Sequence, residues 1–105
     1  MTNANKKVIP KNSFTIAGVS HYKNVCKLIK ENDILSMMPD PDNKFDENAI
    51  KICNSKNEQC GFVPKSINKY LKDIEKKRVL KVIETGLYEG NYWIRVKTHK
   101  IKKSQ

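Results

Sequence analysis

The 105-residue chain contains no C-x-x-C pair, and its three cysteines (Cys26, Cys53, Cys60) and two histidines (His21, His99) fall at no zinc-finger spacing. That argues against a structural zinc, and an odd cysteine count argues against a disulfide framework. No apolar run approaches the ~20 residues a membrane-spanning helix needs, so no membrane partner is expected. No signal peptide opens the sequence, which together with unpaired thiols points to a reducing, intracellular and cytoplasmic setting. There is no internal repeat, no low-complexity segment beyond the tails, and no motif that would hold a cofactor. A chain of this length is expected to form one domain with a modest core.

Acidic residues are also missing from both ends. Residues 1–12 hold Lys6, Lys7 and Lys11, and residues 91–105 hold Arg95, Lys97, Lys100, Lys102 and Lys103, without a single Asp or Glu. These eight cations supply most of the formal charge of +10; the thirteen between them face eleven acids. A polyanionic partner such as nucleic acid is the natural inference. Solvated lysine-rich tails are the bland alternative.

What is present reads as a mainly β domain. Residues 1–12 are expected to be a basic, loosely ordered lead-in, 13–100 the folded domain, and 101–105 a basic tail. Ser13 to Val19 alternates Phe14 and Ile16 against Thr15 and Ala17, a strand pattern, with Gly18 suited to a bulge or a close backbone approach. Val25, Leu28 and Ile29 then recur at helical spacing, with Asn24 as a cap. Strands are expected at Asp33–Met38 and Ala49–Cys53, and a turn at Asn54–Glu58 returns the chain into Gln59–Val63. Pro64 to Ser66 is expected to open the clearest helix, with Ser66 as N-cap and Ile67, Tyr70, Leu71 and Ile74 as one apolar stripe. Lys76, Lys77 and Arg78 would suit its C-terminal end. Val79–Tyr88 and Tyr92–Lys100 read as a closing hairpin.

Two segments carry chemical information. Pro39 to Ile50 packs two prolines, four acids, two asparagines and a phenylalanine between apolar runs. Pro presets φ and Asx side chains bond nearby amides, so the loop is shaped. In it Asp46 offers an acceptor, Phe45 a stacking face and Asn43 a two-way hydrogen-bonder, a set that could read a planar group bearing a hydroxyl. The competing reading is a self-stapled turn with Phe45 tucked into the core. In the last strand Ile94, Val96 and Thr98 point one way and Trp93, Arg95, Lys97 and His99 the other. An aromatic beside cations is the arrangement of single-strand binders; an exposed Trp93 shielded by lysine stems is the bland alternative.

Two other functions find little support. His21 with Asp46, or Cys26 or Cys60 as a nucleophile, occur at no catalytic spacing, so no enzyme is expected. Asp40, Asp42 and Asp46 do not form a calcium loop, because the positions that need glycine and a bidentate glutamate hold Phe45 and Lys51.

The ordered succession Ala17-Gly18-Val19, then Asp40-Pro41-Asp42-Asn43-Lys44-Phe45-Asp46-Glu47-Asn48-Ala49-Ile50, then Gly61-Phe62-Val63-Pro64-Lys65 resembles the HIRAN domain family over residues 13 to 100. The resemblance implies a small, distorted OB- or SH3-like β-barrel of about six strands with one or two short helices. It also implies a non-catalytic module that captures the 3′ end of single-stranded DNA. Carried over residue by residue, the site would comprise His21, Tyr22, Asn43, Phe45, Asp46, Phe62 and Lys65, with Tyr92 or Trp93 from the last strand; alternation favours Trp93. The sequence departs from the family pattern where Lys44 replaces a proline, Phe45 a tyrosine, His21 an arginine and Phe62 a histidine. The chain carries no ATPase motor, so any remodelling would need a separate helicase or ATPase chain. A protein-interaction or RNA-binding module on the same barrel, with non-specific polyanion binding through lysines, is the alternative.

End recognition has a simple physical form. A terminal 3′-hydroxyl can donate to Asp46, whereas an internal nucleotide has that oxygen esterified and places a phosphate charge against the carboxylate. Tyr22 and Phe45 would grip bases, Lys65 a phosphate, and free amides near Ser66 would favour an anion.

Overall fold

Alternation of apolar residues with polar ones sets the architecture, and a computed structural model describes it over residues 13–71 and 78–100. Six antiparallel strands, β1 (Ser13–Thr15), β2 (Ile34–Pro39), β3 (Ile50–Cys53), β4 (Gln59–Phe62), β5 (Arg78–Tyr88) and β6 (Asn91–Lys100), lie in the order β1-β6-β5-β2-β3-β4. The sheet curls into a half-barrel. Past β1, Ile16 N–H donates to the Ile94 carbonyl, and Ala17 and Phe62 exchange two hydrogen bonds of 2.9 Å, so the chain leaving β1 reaches β4. The mainly β, six-stranded fold expected from the sequence is the one observed.

The inward residues are those that the alternation selects: Leu35 and Met37 from β2, Ile50 and Ile52 from β3, Leu80 and Val82 from β5, Ile94 and Val96 from β6, all buried. Cys26 and Cys60 join this core as free thiols, and burial pushes the Cys60 thiol up to about 12. β5 and β6 are linked by Glu89 and Gly90, both at positive φ (49° and 81°), the two-residue turn that matches strand twist. The register shifts between Val82 and Glu84. That bulge reverses the alternation: Leu80 and Val82 point inward, while Glu84 and Gly86 share the outward side with Arg95 and Trp93.

Several local expectations are corrected. The first strand is shorter than Ser13–Val19: Gly18 takes φ 72°, a left-handed value that turns the chain into a 3-10 turn at Val19–His21. α1 covers only Lys23–Cys26, and its N-cap is Tyr22 rather than Asn24, with no side-chain cap bond. Leu28 stays exposed, while Ile29 is buried. The helix expected from Ser66 is reduced among the described residues to one 3-10 turn, Asn68–Tyr70, preceded by Ile67 with no side-chain cap. Pro64 accepts from the amides of both Ile67 and Asn68, so those two amides are not open to an anion. Ile67 and Leu71 pack on the core and Tyr70 does not. Ile74, Lys76, Lys77, the lead-in 1–12 and the tail 101–105 lie outside the described residues.

Candidate nucleic-acid interface

The loop between β2 and β3 is built by its own side chains. Asn43 Oδ1 accepts from the amides of Phe45 (2.8 Å) and Asp46 (3.0 Å), and Asn43 Nδ2 donates to Asp40 Oδ2 (3.1 Å). Asp40 N–H donates to the Ala49 carbonyl, which closes the loop's base. These are Asx turns, in which a short polar side chain stands in for backbone. The stapling is thus as one reading of the sequence has it. Its companion, a core-packed Phe45, is not: the ring is 91% exposed.

Asp46 is held from two sides. Its Oδ1 accepts from Asn48 N–H at 2.9 Å and its Oδ2 from Asn68 Nδ2 at 2.7 Å. Those two bonds, Asn48 first, together with the nearby charge of Lys65, lower the carboxyl's pKa; partial desolvation opposes them. Asp46 is therefore an oriented carboxylate at neutral pH, able only to accept. The orienting Asn68 is just 3% exposed.

An open cleft of about 550 Å³ lies over this carboxylate. On one side stand His21 and Tyr22, set by the 3-10 turn that Gly18 begins; on another, Asn43 and Phe45 from the loop. Phe62, at the end of β4, and Lys65 complete the wall. Tyr22 meets Phe62 edge-on, with centroids 6.4 Å apart at 63°, and His21 meets Tyr22 at 6.4 Å and 78°. These edge-to-face contacts set Tyr22 against both His21 and Phe62. The cleft thus combines aromatic surface, one fixed carboxylate and one exposed ammonium, a set suited to an aromatic, hydroxyl-bearing, anionic ligand.

Seven of the residues singled out in the sequence line this one cleft: His21, Tyr22, Asn43, Phe45, Asp46, Phe62 and Lys65. Trp93 does not. It lies on the outward face of β6 opposite Gly86, and Tyr92 packs against the core. The alternation of β6 is right, but the face it exposes is not the one the cleft occupies. Sequence reasoning also missed Asn68 and the wall formed by Ala17 and Gly18. Asn68 had a weak signal, a lone amide in an otherwise apolar and lysine-rich stretch, but its partner is 22 residues away.

The sequence model of the HIRAN domain matches residues 11–100. Among solved structures, the crystal structure of the HIRAN domain of human HLTF superposes with a TM-score of 0.65 at 22% identity, covering 82% of this chain and 72% of that one. The NMR structure of the HLTF HIRAN domain in its DNA-bound conformation gives a TM-score of 0.57, also at 22% identity, over 82% and 71%. A protein from Lactobacillus plantarum gives 0.58 at 14% identity, over 81% of this chain and 92% of that one. No curated protein sequence matches the chain.

Proposed function

The chain belongs to the HIRAN domain family, and from that premise we propose that it is a non-catalytic DNA-binding module whose cleft captures the 3′-hydroxyl end of a single strand. The observation that carries this reading is the Asp46 carboxylate, held ionised by Asn48 and Asn68 beside an exposed Phe45. A DNA partner is supported by the DNA-bound conformation in which the HLTF domain has been solved and by the formal charge of +10.

In this mechanism the terminal base stacks on the exposed face of Phe45 and packs against Tyr22, since every base has a π-face. The 3′-hydroxyl donates to Asp46, which retains free lone pairs on both oxygens because each accepts one bond. Lys65 takes the preceding phosphate, and His21 supplies a donor from the 3-10 turn. A strand that continues past the site offers no hydroxyl proton and sets a phosphate against the carboxylate, so the interior is disfavoured by both terms.

Fluorescence anisotropy of a short oligonucleotide ending in a 3′-hydroxyl or a 3′-phosphate, at two salt concentrations, tests the reading. We expect the hydroxyl end to bind about ten-fold more tightly or better, the scale of one charge-assisted hydrogen bond. The preference should persist at the higher salt and vanish in Asp46→Asn. Equal binding of both ends that collapses with salt would leave only lysine–polyanion attraction and refute end capture.

A further inference from the structure

We propose that the outward face of the β1-β6-β5 sheet is a second platform for single-stranded DNA, in which Trp93 stacks on an internal base and Arg95, Lys97 and Lys81 hold neighbouring phosphates. The class of partner rests on the reading above; the surface shares no residue with the cleft.

The register assembles this face. Lys97 stands directly opposite Lys81 on one side and Ser13 on the other; Arg95 stands opposite Glu84 and Thr15, and Trp93 opposite Gly86. Because the intervening pairs Leu80–Thr98 and Val82–Val96 are buried, these residues point outward. Successive outward rows on β6 are about 6.8 Å apart, two antiparallel residues.

Three features of the face point to a ligand. A Cβ placed on Gly86 would lie 2.6–2.8 Å from Cζ2, Cε2 and Nε1 of the indole. The ring therefore occupies the space a side chain at Gly86 would fill, lying across the neighbouring strand. Covering a cross-strand glycine is a structural use of an aromatic, but it also holds the ring ready to stack. Secondly, Lys81 and Lys97 are like charges directly opposite each other, a pairing that destabilises a sheet. A bound phosphate removes that cost. Thirdly, Arg95 is paired with Glu84 only at 3.8 Å, an ion pair too long for a hydrogen bond, and its side chain is 24% exposed, so the guanidinium keeps donors to offer a phosphate. A polyanion satisfies the cations, and among polyanions a nucleic acid strand also carries the flat faces that an indole stacks on.

Trp93 is the sole tryptophan, so its own emission reports stacking. The probe is a short oligothymidylate blocked by a 3′-phosphate, which removes the hydroxyl proposed for the cleft. With the full chain we expect quenching of Trp93 as the blocked strand binds, unaltered in Asp46→Asn. Gly86→Ala should push the ring off the sheet and weaken binding of the blocked strand about five-fold or more, the lower bound for losing one stacked base. As a check that does not disturb the indole, Lys81→Gln with Lys97→Gln should reduce the salt slope of log K by about 1.4, two contacts of ~0.7 each for a single strand. Unchanged emission at saturating blocked strand, a salt slope unmoved by the double lysine variant, or quenching that disappears in Asp46→Asn would overturn the proposal. Quenching by the blocked strand supports it whether or not the cleft prefers a 3′-hydroxyl.

Discussion

Gly61 is where a single methyl group should open the sheet. A Cβ built there would collide with Ile16 Cγ2 and come within 2.5 Å of the Ala17 carbonyl oxygen. Neither neighbour is the free end of a flexible side chain. Ile16 is buried, and the Ala17 carbonyl accepts from Phe62 N–H while Ala17 N–H donates to the Phe62 carbonyl. Gly61→Ala must therefore displace the backbone that joins the chain after β1 to β4. Overpacking of this kind costs about 1–3 kcal/mol. Weakening the two closing hydrogen bonds adds about 0.5–1.5 kcal/mol each, so the expected loss is roughly 2–6 kcal/mol. That is a large share of the roughly 5–15 kcal/mol that holds a domain together. Urea unfolding should show a lower midpoint with an unchanged m-value, and Tm should fall by about 10 °C or more. Because Ala17, Gly18 and Phe62 also wall the cleft, any preference for a strand end should decline in the same variant. A loss below about 1 kcal/mol would mean that the Ala17–Phe62 closure yields freely, and would refute the argument.

Two further expectations concern titratable groups. Asp46 has a folded-state pKa below its unfolded value, for which Asn48 N–H is the first cause and Asn68 the second. Its contribution to stability is thus complete above the unfolded value of about 4 and is lost as pH falls through the folded value. Asn68→Ala removes one of the two bonds and should move the Asp46 titration upward in a carboxyl-observed NMR experiment; an unmoved titration would show that Asn68 does not set the charge. Cys60, its thiol pushed up to about 12 by burial, should resist alkylation in the native protein at neutral pH and react once the chain is unfolded, and rapid native labelling would contradict its place in the core.

The strands were readable because burial on one face leaves a period-2 trace. Ile94, Val96 and Thr98 point inward as alternation requires, and the shaped loop from Pro39 to Ile50 announced itself by Asx and Pro content. What failed depended on contacts distant in sequence. The apolar spacing of Ile67, Tyr70, Leu71 and Ile74 fits a helix, yet among the described residues Ile67 and Leu71 reach the core from the two ends of a single 3-10 turn, Asn68–Tyr70. Local periodicity cannot tell these two arrangements apart. The shift at Val82/Glu84 was visible only as a glutamate where an apolar residue was due, and without it the pairing of Gly86 with Trp93 could not be drawn. Trp93 was assigned to the right face of its strand and to the wrong neighbours, because which side of a sheet meets a loop is fixed by topology.

The balance of charge explains why a carboxylate belongs at the centre of so basic a chain. Lysines spread over a surface attract any polyanion from a distance, and that attraction is blind to sequence and to ends. Discrimination needs a group that acts against most of what the lysines attract. Asp46 has the required sign, and its position does not depend on the incoming strand, because Asn48 and Asn68 fix both oxygens and Asn43 fixes the loop that carries it. Under the proposed end capture, attraction and discrimination are lodged in separate residues. Removing lysines should flatten the salt dependence of binding while leaving the ratio between strand ends intact. Removing Asp46, or freeing it by altering Asn68, should change that ratio and leave the salt dependence nearly as it was. A protein in which both quantities moved together would be reading the strand through its charge alone.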